Sequence, residues 1–185
     1  MVKWLVLKLA NWCERTGRMI DIRDRDENGE TKGTLYLRRY MVFQSKLFCV
    51  YIHRFLKSDD DTHHDHPWNF LTYVVDGGYT EETVTSPLYK KFGVWPVEFT
   101  KSVTKRLPGT IAYRRAKDIH RVIVDKERTE AEVDQAPLTV CFIGPRVREW
   151  GFWLPVKEEP KKKRWVLWTE FLELDPSHPE FKGHS

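Results

Sequence analysis

His63-His64-Asp65-His66-Pro67-Trp68-Asn69-Phe70-Leu71-Thr72-Tyr73-Val74-Val75-Asp76-Gly77-Gly78 is the stretch on which the reading of this chain turns. A polar linker, residues 58–62, runs into it. Its aromatic and β-branched part, residues 69–75, closed by Asp76-Gly77-Gly78, reads as a strand followed by a turn. Side chains two apart on an extended chain leave from the same face, so one strand can aim two imidazoles at a single ion. A lone His120, beyond the turn-forming Pro108-Gly109, can close such a site from a neighbouring strand.

The same strand grammar extends outward in both directions. Residues 47–56 place Cys49, Tyr51, His53 and Phe55 on one face and Phe48, Val50, Ile52 and Arg54 on the other. Both faces are largely apolar, which predicts a strand covered on two sides. Further strands are expected over residues 19–23, 34–43, 79–84, 97–103, 110–114, 120–124 and 138–143. Turn residues separate them, including Asn28-Gly29 within 24–33, and loops are expected at 86–95 and 126–135. Many short strands punctuated by Gly and Pro predict an all-β sandwich or barrel. Leu5, Leu9, Trp12 and Cys13 recur at helical spacing, so residues 1–16 read as an amphipathic helix docked on the body of the protein. Trp165, Trp168, Phe171 and Leu172 suggest a second helix over 160–175, before a loose tail, 176–185. The expected organisation is one domain, 1–185, with its barrel over 19–156.

The bulk numbers agree with that plan. A chain of 185 residues with 41% hydrophobic and 14% aromatic residues can bury a core without disulfide staples. Three widely spaced cysteines, with no Cys-x-x-Cys pair, suit a reducing compartment and a cytoplasmic location. The formal charge of +4 comes from mixed charges and makes no case for nucleic acid. The apolar N-terminal segment is interrupted by Lys3 and Lys8 and is too short to span a bilayer. A barrel of this size is expected to pair as a homodimer through an edge sheet.

Two metal sites are compatible with these residues. In one, His64 and His66 point inward together and His120 joins them. In the other, His63, Asp65 and His120 make a two-histidine, one-carboxylate set. Adjacent residues on a regular strand face opposite sides, so the two exclude each other. Either set favours a divalent transition metal over magnesium or calcium. His53 reads first as a hydrogen-bonded structural residue; if it faces the lumen, its expected partner is one of the acids at 59–61 or a metal-bound water. Arg114 or Arg115, and Arg121, flank His120 and would anchor an acidic group of a ligand. Tyr79, Tyr113 and Trp68 are candidates to line the pocket.

The segment resembles the first motif of the cupin superfamily, an H-x-H pair entering a strand that ends at glycine: His64-Asp65-His66, then Gly77-Gly78. Pro108-Gly109 followed by His120 resembles the second motif at a longer spacing than usual. The strings HRFLKSDDD, HDHPWNF, GGYTEE, IHRV and GPRVREWGFW, taken in order, are similar to an uncharacterised cupin-like family of bacteriophage and bacterial genomes, over roughly residues 34–170. The resemblance implies a double-stranded β-helix barrel (jelly roll) and favours the set His64, His66 and His120. One departure matters: the motif's glutamate would fall near Phe70, leaving Asn69 as the nearest polar group and Glu81 or Glu82 as the nearest carboxylate.

The resemblance therefore implies a metal-binding protein, in first place a non-haem iron oxygenase acting on a small polar or nucleotide-like substrate. Fe(II) is the expected metal, with Zn or Ni as alternatives. Glu81, Tyr79 and His53 are the remaining catalytic candidates, and Arg114, Arg121, Tyr113, Asn69 and Trp68 the ligand-binding ones. Two other readings stand beside it: a sequestering module that binds a small ligand or a partner without turnover, and a metal-free sugar-nucleotide isomerase or epimerase with a histidine base and a tyrosine acid.

Overall fold

The architecture is taken from a computed structural model, which describes residues 1–24, 33–59, 62–85, 97–98, 100–156 and 159–173. The expected loop at 86–95, most of the turn at 24–33 and the tail at 176–185 lie outside the described residues.

Helix α1 (Val2–Arg15) precedes the strands β1 (Met19–Arg23), β2 (Leu35–Gln44), β3 (Cys49–Phe55), β4 (His63–His64), β5 (Trp68–Asp76) and β6 (Tyr79–Thr85). There follow β7 (Val97–Glu98), β8 (Thr100–Arg106), β9 (Ile111–Arg114), β10 (Ile119–Ile123), β11 (Leu138–Arg146), β12 (Gly151–Val156) and β13 (Glu159–Leu167), then a short α2 (Trp168–Glu173). They form a six-stranded sheet in the order β1-β2-β3-β11-β5-β9 and a seven-stranded sheet in the order β7-β13-β12-β4-β10-β6-β8. All strand pairs are antiparallel. From β8 to β12 each successive strand crosses to the other sheet, which is the winding of a double-stranded β-helix, or jelly roll.

Inside, residues of like parity form rows across the first sheet. Arg39, His53, Thr139 and Val74 make one row, and Met41, Tyr51, Cys141 and Thr72 the next. Outside, α1 covers the same sheet. Val6, Ala10 and Cys13 pack on Tyr40, Ile52 and Leu138, so β3 is covered on both faces as its composition predicts. The buried stripe of α1 is rotated from the expected one. Leu5 and Trp12 are exposed, because the smaller side chains at 6, 10 and 13 let the helix lie close on the sheet. Gly17, at φ 68°, ends the helix in the left-handed conformation, and the Arg18 N–H reaches back to the Cys13 carbonyl.

The Asp76-Gly77-Gly78 turn carries the chain from one sheet into the other. Gly78 has φ 129°, and a Cβ there would stand 2.7 Å from the Arg106 carbonyl oxygen, so only glycine makes this corner. It delivers Glu81 to the inner face of the second sheet.

Two expectations change. Residues 159–167 are a strand, and only Trp168–Glu173 is helical. The apolar spacing at 165, 168 and 171 is helical, but β12 offers a ladder in which Trp165 pairs with Trp153 and Val166 with Phe152. The stretch 126–135, expected to be a loop, ends in a 3-10 helix, Glu130–Gln135, started by a reciprocal Thr129–Glu132 capping box.

Candidate metal centre

β4 is only two residues long, held between β10 and β12, and its register sets His64 directly opposite His120 and Phe152. Pro67 ends the extended run, and the His66 N–H is held by the Ala116 carbonyl at 3.0 Å. The i, i+2 relation brings His64 and His66 to one side, where His120 meets them. One nitrogen from each of the three rings lies within 4.8 Å of the others. The Nε2 atoms of His66 and His120 face each other at 2.8 Å. Phe70 stands edge-on to His66 at 4.7 Å between ring centroids, and Phe152 lies 6.0 Å from His64.

Burial, ahead of any neighbouring charge, keeps His64 and His66 neutral. Burial lowers His64 to about 4, with the His120 charge adding to it and Asp59 opposing. Burial first, then His64, His120, Arg39 and His53, hold His66 well below its ordinary range. Glu81 lies behind His120, with its Oε1 2.8 Å from Nδ1. Burial alone would raise the Glu81 pKa, but His120 and Arg114 bring it down to about 2. Arg106 Nε at 2.7 Å and Arg114 Nε at 2.8 Å complete its shell. A carboxylate at Nδ1 makes that nitrogen the donor, so Nε2 of His120 presents its lone pair to His66 and His64. Three imidazoles, one braced from behind by a carboxylate, fit a divalent transition metal in donor type and spacing. Among the described residues no other group of three such side chains converges in this way.

The alternative set is not brought together. His63 and Asp65 face away from His120. His63 Nε2 lies 2.6 Å from a Glu82 oxygen, in a cluster with Lys101 and Arg121. Asp65, fully buried, accepts bonds from the Gly151 N–H at 2.9 Å and from Trp165 Nε1 at 3.1 Å, and pairs with Arg148 at 2.8 Å. Both carboxylate oxygens of Asp65 are thus engaged by the wall of the barrel.

The other expected residues divide. Glu81 arrives at the site, as the brace of His120. Arg114 points inward but is spent on Glu81, whereas Arg115 is exposed and pairs with Asp118. Arg121 belongs to the outer Glu82 cluster, and Tyr113 is exposed, so neither lines the lumen. Asn69 uses its Oδ1 to hold the Ala116 N–H at 2.7 Å, which fixes the turn before β10. Trp68 packs near the site with Tyr51, Cys141 and Ile143. Tyr79 is buried beside Phe55, Leu37, Val74 and Val122, where burial raises its pKa; among the described residues no tyrosine hydroxyl bonds to a histidine of the cluster. His53 is not bonded to Asp59, and Asp60 and Asp61 lie outside the described residues. Its Nε2 accepts from Arg39 Nε at 3.0 Å, and its Nδ1 faces the Cys141 sulfur at 3.4 Å. Asp59 instead holds the Tyr36 hydroxyl and the Val122 N–H.

Sequence reasoning passed over Arg39 and Arg106. Their signal was present: Leu35, Leu37, Arg39 and Met41 share one parity, so a cation occupies a position whose neighbours all face the core.

Fold and site together define a double-stranded β-helix (jelly-roll) barrel with a three-histidine cluster inside it. The solved structures to which the chain is similar include a cupin-2 domain protein from Rhodospirillum rubrum, at 10% identity over 76% of each chain, with a TM-score of 0.46. KdgF from a Halomonas species is 16% identical over 60% of this chain and 82% of that one, with a TM-score of 0.40. Streptomyces albus HEPD, with 2-hydroxyethylphosphonate and Fe(II) bound, is 9% identical over 62% of this chain and 23% of that one, with a TM-score of 0.42. No protein-family model and no curated protein matches the chain. Among the described residues, no helix is long and apolar enough to cross a membrane.

Proposed function

We propose that the chain is a metal-dependent enzyme of the non-haem oxygenase type, with His64, His66 and His120 holding one divalent transition metal, Fe(II) in first place, and a small polar molecule as substrate. The observation that supports this is the convergence of the three imidazoles within 4.8 Å, one braced by a buried, ionised glutamate. Fe(II) held by three neutral nitrogens supplies redox reactivity toward dioxygen and leaves coordination positions open. The protein's own contribution is positional. Glu81 keeps a proton on Nδ1 of His120 and so keeps Nε2 bare, Arg106 and Arg114 keep Glu81 ionised, and Phe70 and Phe152 wall the rings from water.

The test is metal content after purification without chelators, followed by oxygen uptake. One equivalent of iron that is lost in His120→Ala, with the fold retained by circular dichroism, is the expected result. A protein that takes up no transition metal when offered iron, nickel or zinc overturns the reading. Stoichiometric metal without turnover on any small acid would transfer the protein to the sequestering class.

A further inference from the structure

The arginines of the barrel wall are almost all matched to carboxylates. Arg38 pairs with Asp21, Arg106 and Arg114 with Glu81, Arg121 with Glu82, Arg148 with Asp65, and Arg54 with Asp134. Arg39 is the exception. It lies on the inner parity of β2, partly buried, directly opposite His53. Its Nε is used on a neutral ring nitrogen of His53, and its guanidinium carbon lies 5.1 Å from the centre of the Tyr51 ring. Among the described residues no carboxylate pairs with it and no acceptor meets its Nη groups. A guanidinium partly withdrawn from water without an anion loses solvation, and neither a neutral imidazole nor an aromatic face replaces the missing charge. Cys141, on the far side of His53, is a neutral thiol because burial raises its pKa.

The position of this cation matters as much as its lack of a partner. The Arg39 row adjoins the row of Met41, Tyr51, Cys141 and Thr72. Beyond that lies Phe70, which touches both His66 and His120. The Tyr51 hydroxyl is held by the Gln44 side chain at 3.0 Å, so a second polar group stands beside the guanidinium.

We propose that Arg39 is the anion anchor of the lumen: its free Nη fork takes the carboxylate or phosphate of a small organic acid, beside Tyr51, while the rest of the ligand extends toward His64, His66 and His120. A planar fork with two outward N–H groups matches an oxyanion in two parallel bonds, which a lysine cannot reproduce. The inference narrows the substrate of the proposed enzyme to anionic molecules, and rests on that reading for what lies at the other end.

The experiment is anion binding by the full chain stripped of metal, with inorganic phosphate and succinate as probes, by calorimetry and thermal shift. Wild type is expected to bind at least one probe and to melt at higher temperature with it. Arg39→Met is expected to lose at least tenfold in affinity, and Arg39→Lys to recover only part of it. His120→Ala is expected to keep anion binding while losing metal, which separates this inference from the metal reading. Arg39→Met without ligand is expected to melt no lower than wild type, since an unmatched buried charge has been removed. Equal anion affinity in wild type and Arg39→Met, no binding of either probe to wild type at millimolar concentration, or a marked loss of thermal stability in ligand-free Arg39→Met would each overturn the proposal.

Discussion

Four consecutive residues, His63 to His66, send polar groups into opposite sides of one sheet, and the two sides treat them differently. On the outer side, Asp65 is met by a backbone N–H, an indole and a guanidinium, and His63 sits against Glu82. On the inner side, His64 and His66 are offered no carboxylate within hydrogen-bond distance; they face each other and His120. The outer pair is buried and the inner pair half-buried, so burial alone does not mark the site. What separates them is whether the wall has already consumed the hydrogen-bonding capacity of each group. The outer pair braces the fold; the inner cluster is left with lone pairs turned toward a common point.

The sharpest break of that contrast is Asp65→Ala. It strands the buried Gly151 N–H and takes a partner from the half-buried Trp165 indole and Arg148 guanidinium, and should cost about 2–4 kcal/mol in urea unfolding. Acid comes next. His64 falls from an ordinary 6.5 to about 4 in the fold, and His53 and His66 fall well below it. The unfolded chain therefore binds more protons between those values, and stability is full above ~6.5 and is lost as pH drops toward 4. His64 alone accounts for on the order of 3 kcal/mol of that loss in metal-free protein. Glu81, lowered to about 2, adds a loss of the same sign below its unfolded value of 4.5. A urea midpoint that does not move between pH 7 and pH 4.5 would contradict neutral inner rings.

Glu81→Gln is smaller and more specific. Freed from its carboxylate, His120 can place its proton on Nε2, and metal affinity by chelator competition should fall about 10–100-fold. His63→Ala should leave metal content near one equivalent, because His63 lies on the other face; loss as complete as in His120→Ala would mean that the two faces are coupled. Tyr113→Phe, at an exposed position, should change stability by less than about 0.5 kcal/mol and leave metal content untouched.

Much of this was legible in the residues. Alternation and turn chemistry marked most strands, and the i, i+2 spacing put His64 and His66 on one side. The nearest carboxylates were legible as Glu81 or Glu82, and the register of β6 on β10 selects Glu81. Which parity faces inward is a property of the closed barrel, however, so Arg114 could be separated from Arg115 only once β9 was seen beside β5. Arg121 and Tyr113 failed for the same reason. Arg39 was hidden differently: a cation on a strand looks solvated until its neighbours Leu37 and Met41 prove to face the core. The last strand was obscured by tryptophans whose spacing suits a helix as well as a ladder.

The anchoring of Asp65 has a consequence for how any guest arrives. β4 has only two residues in regular pairing, and the segment bearing two of the three rings is further tethered by the Asp65 carboxylate to Gly151, Trp165 and Arg148 and by backbone bonds to Gly151 and Ala116. That tether is independent of anything bound in the lumen. The receptor is thus shaped before loading, and uptake should proceed without a folding step, at a rate set by access through the mouth of the barrel.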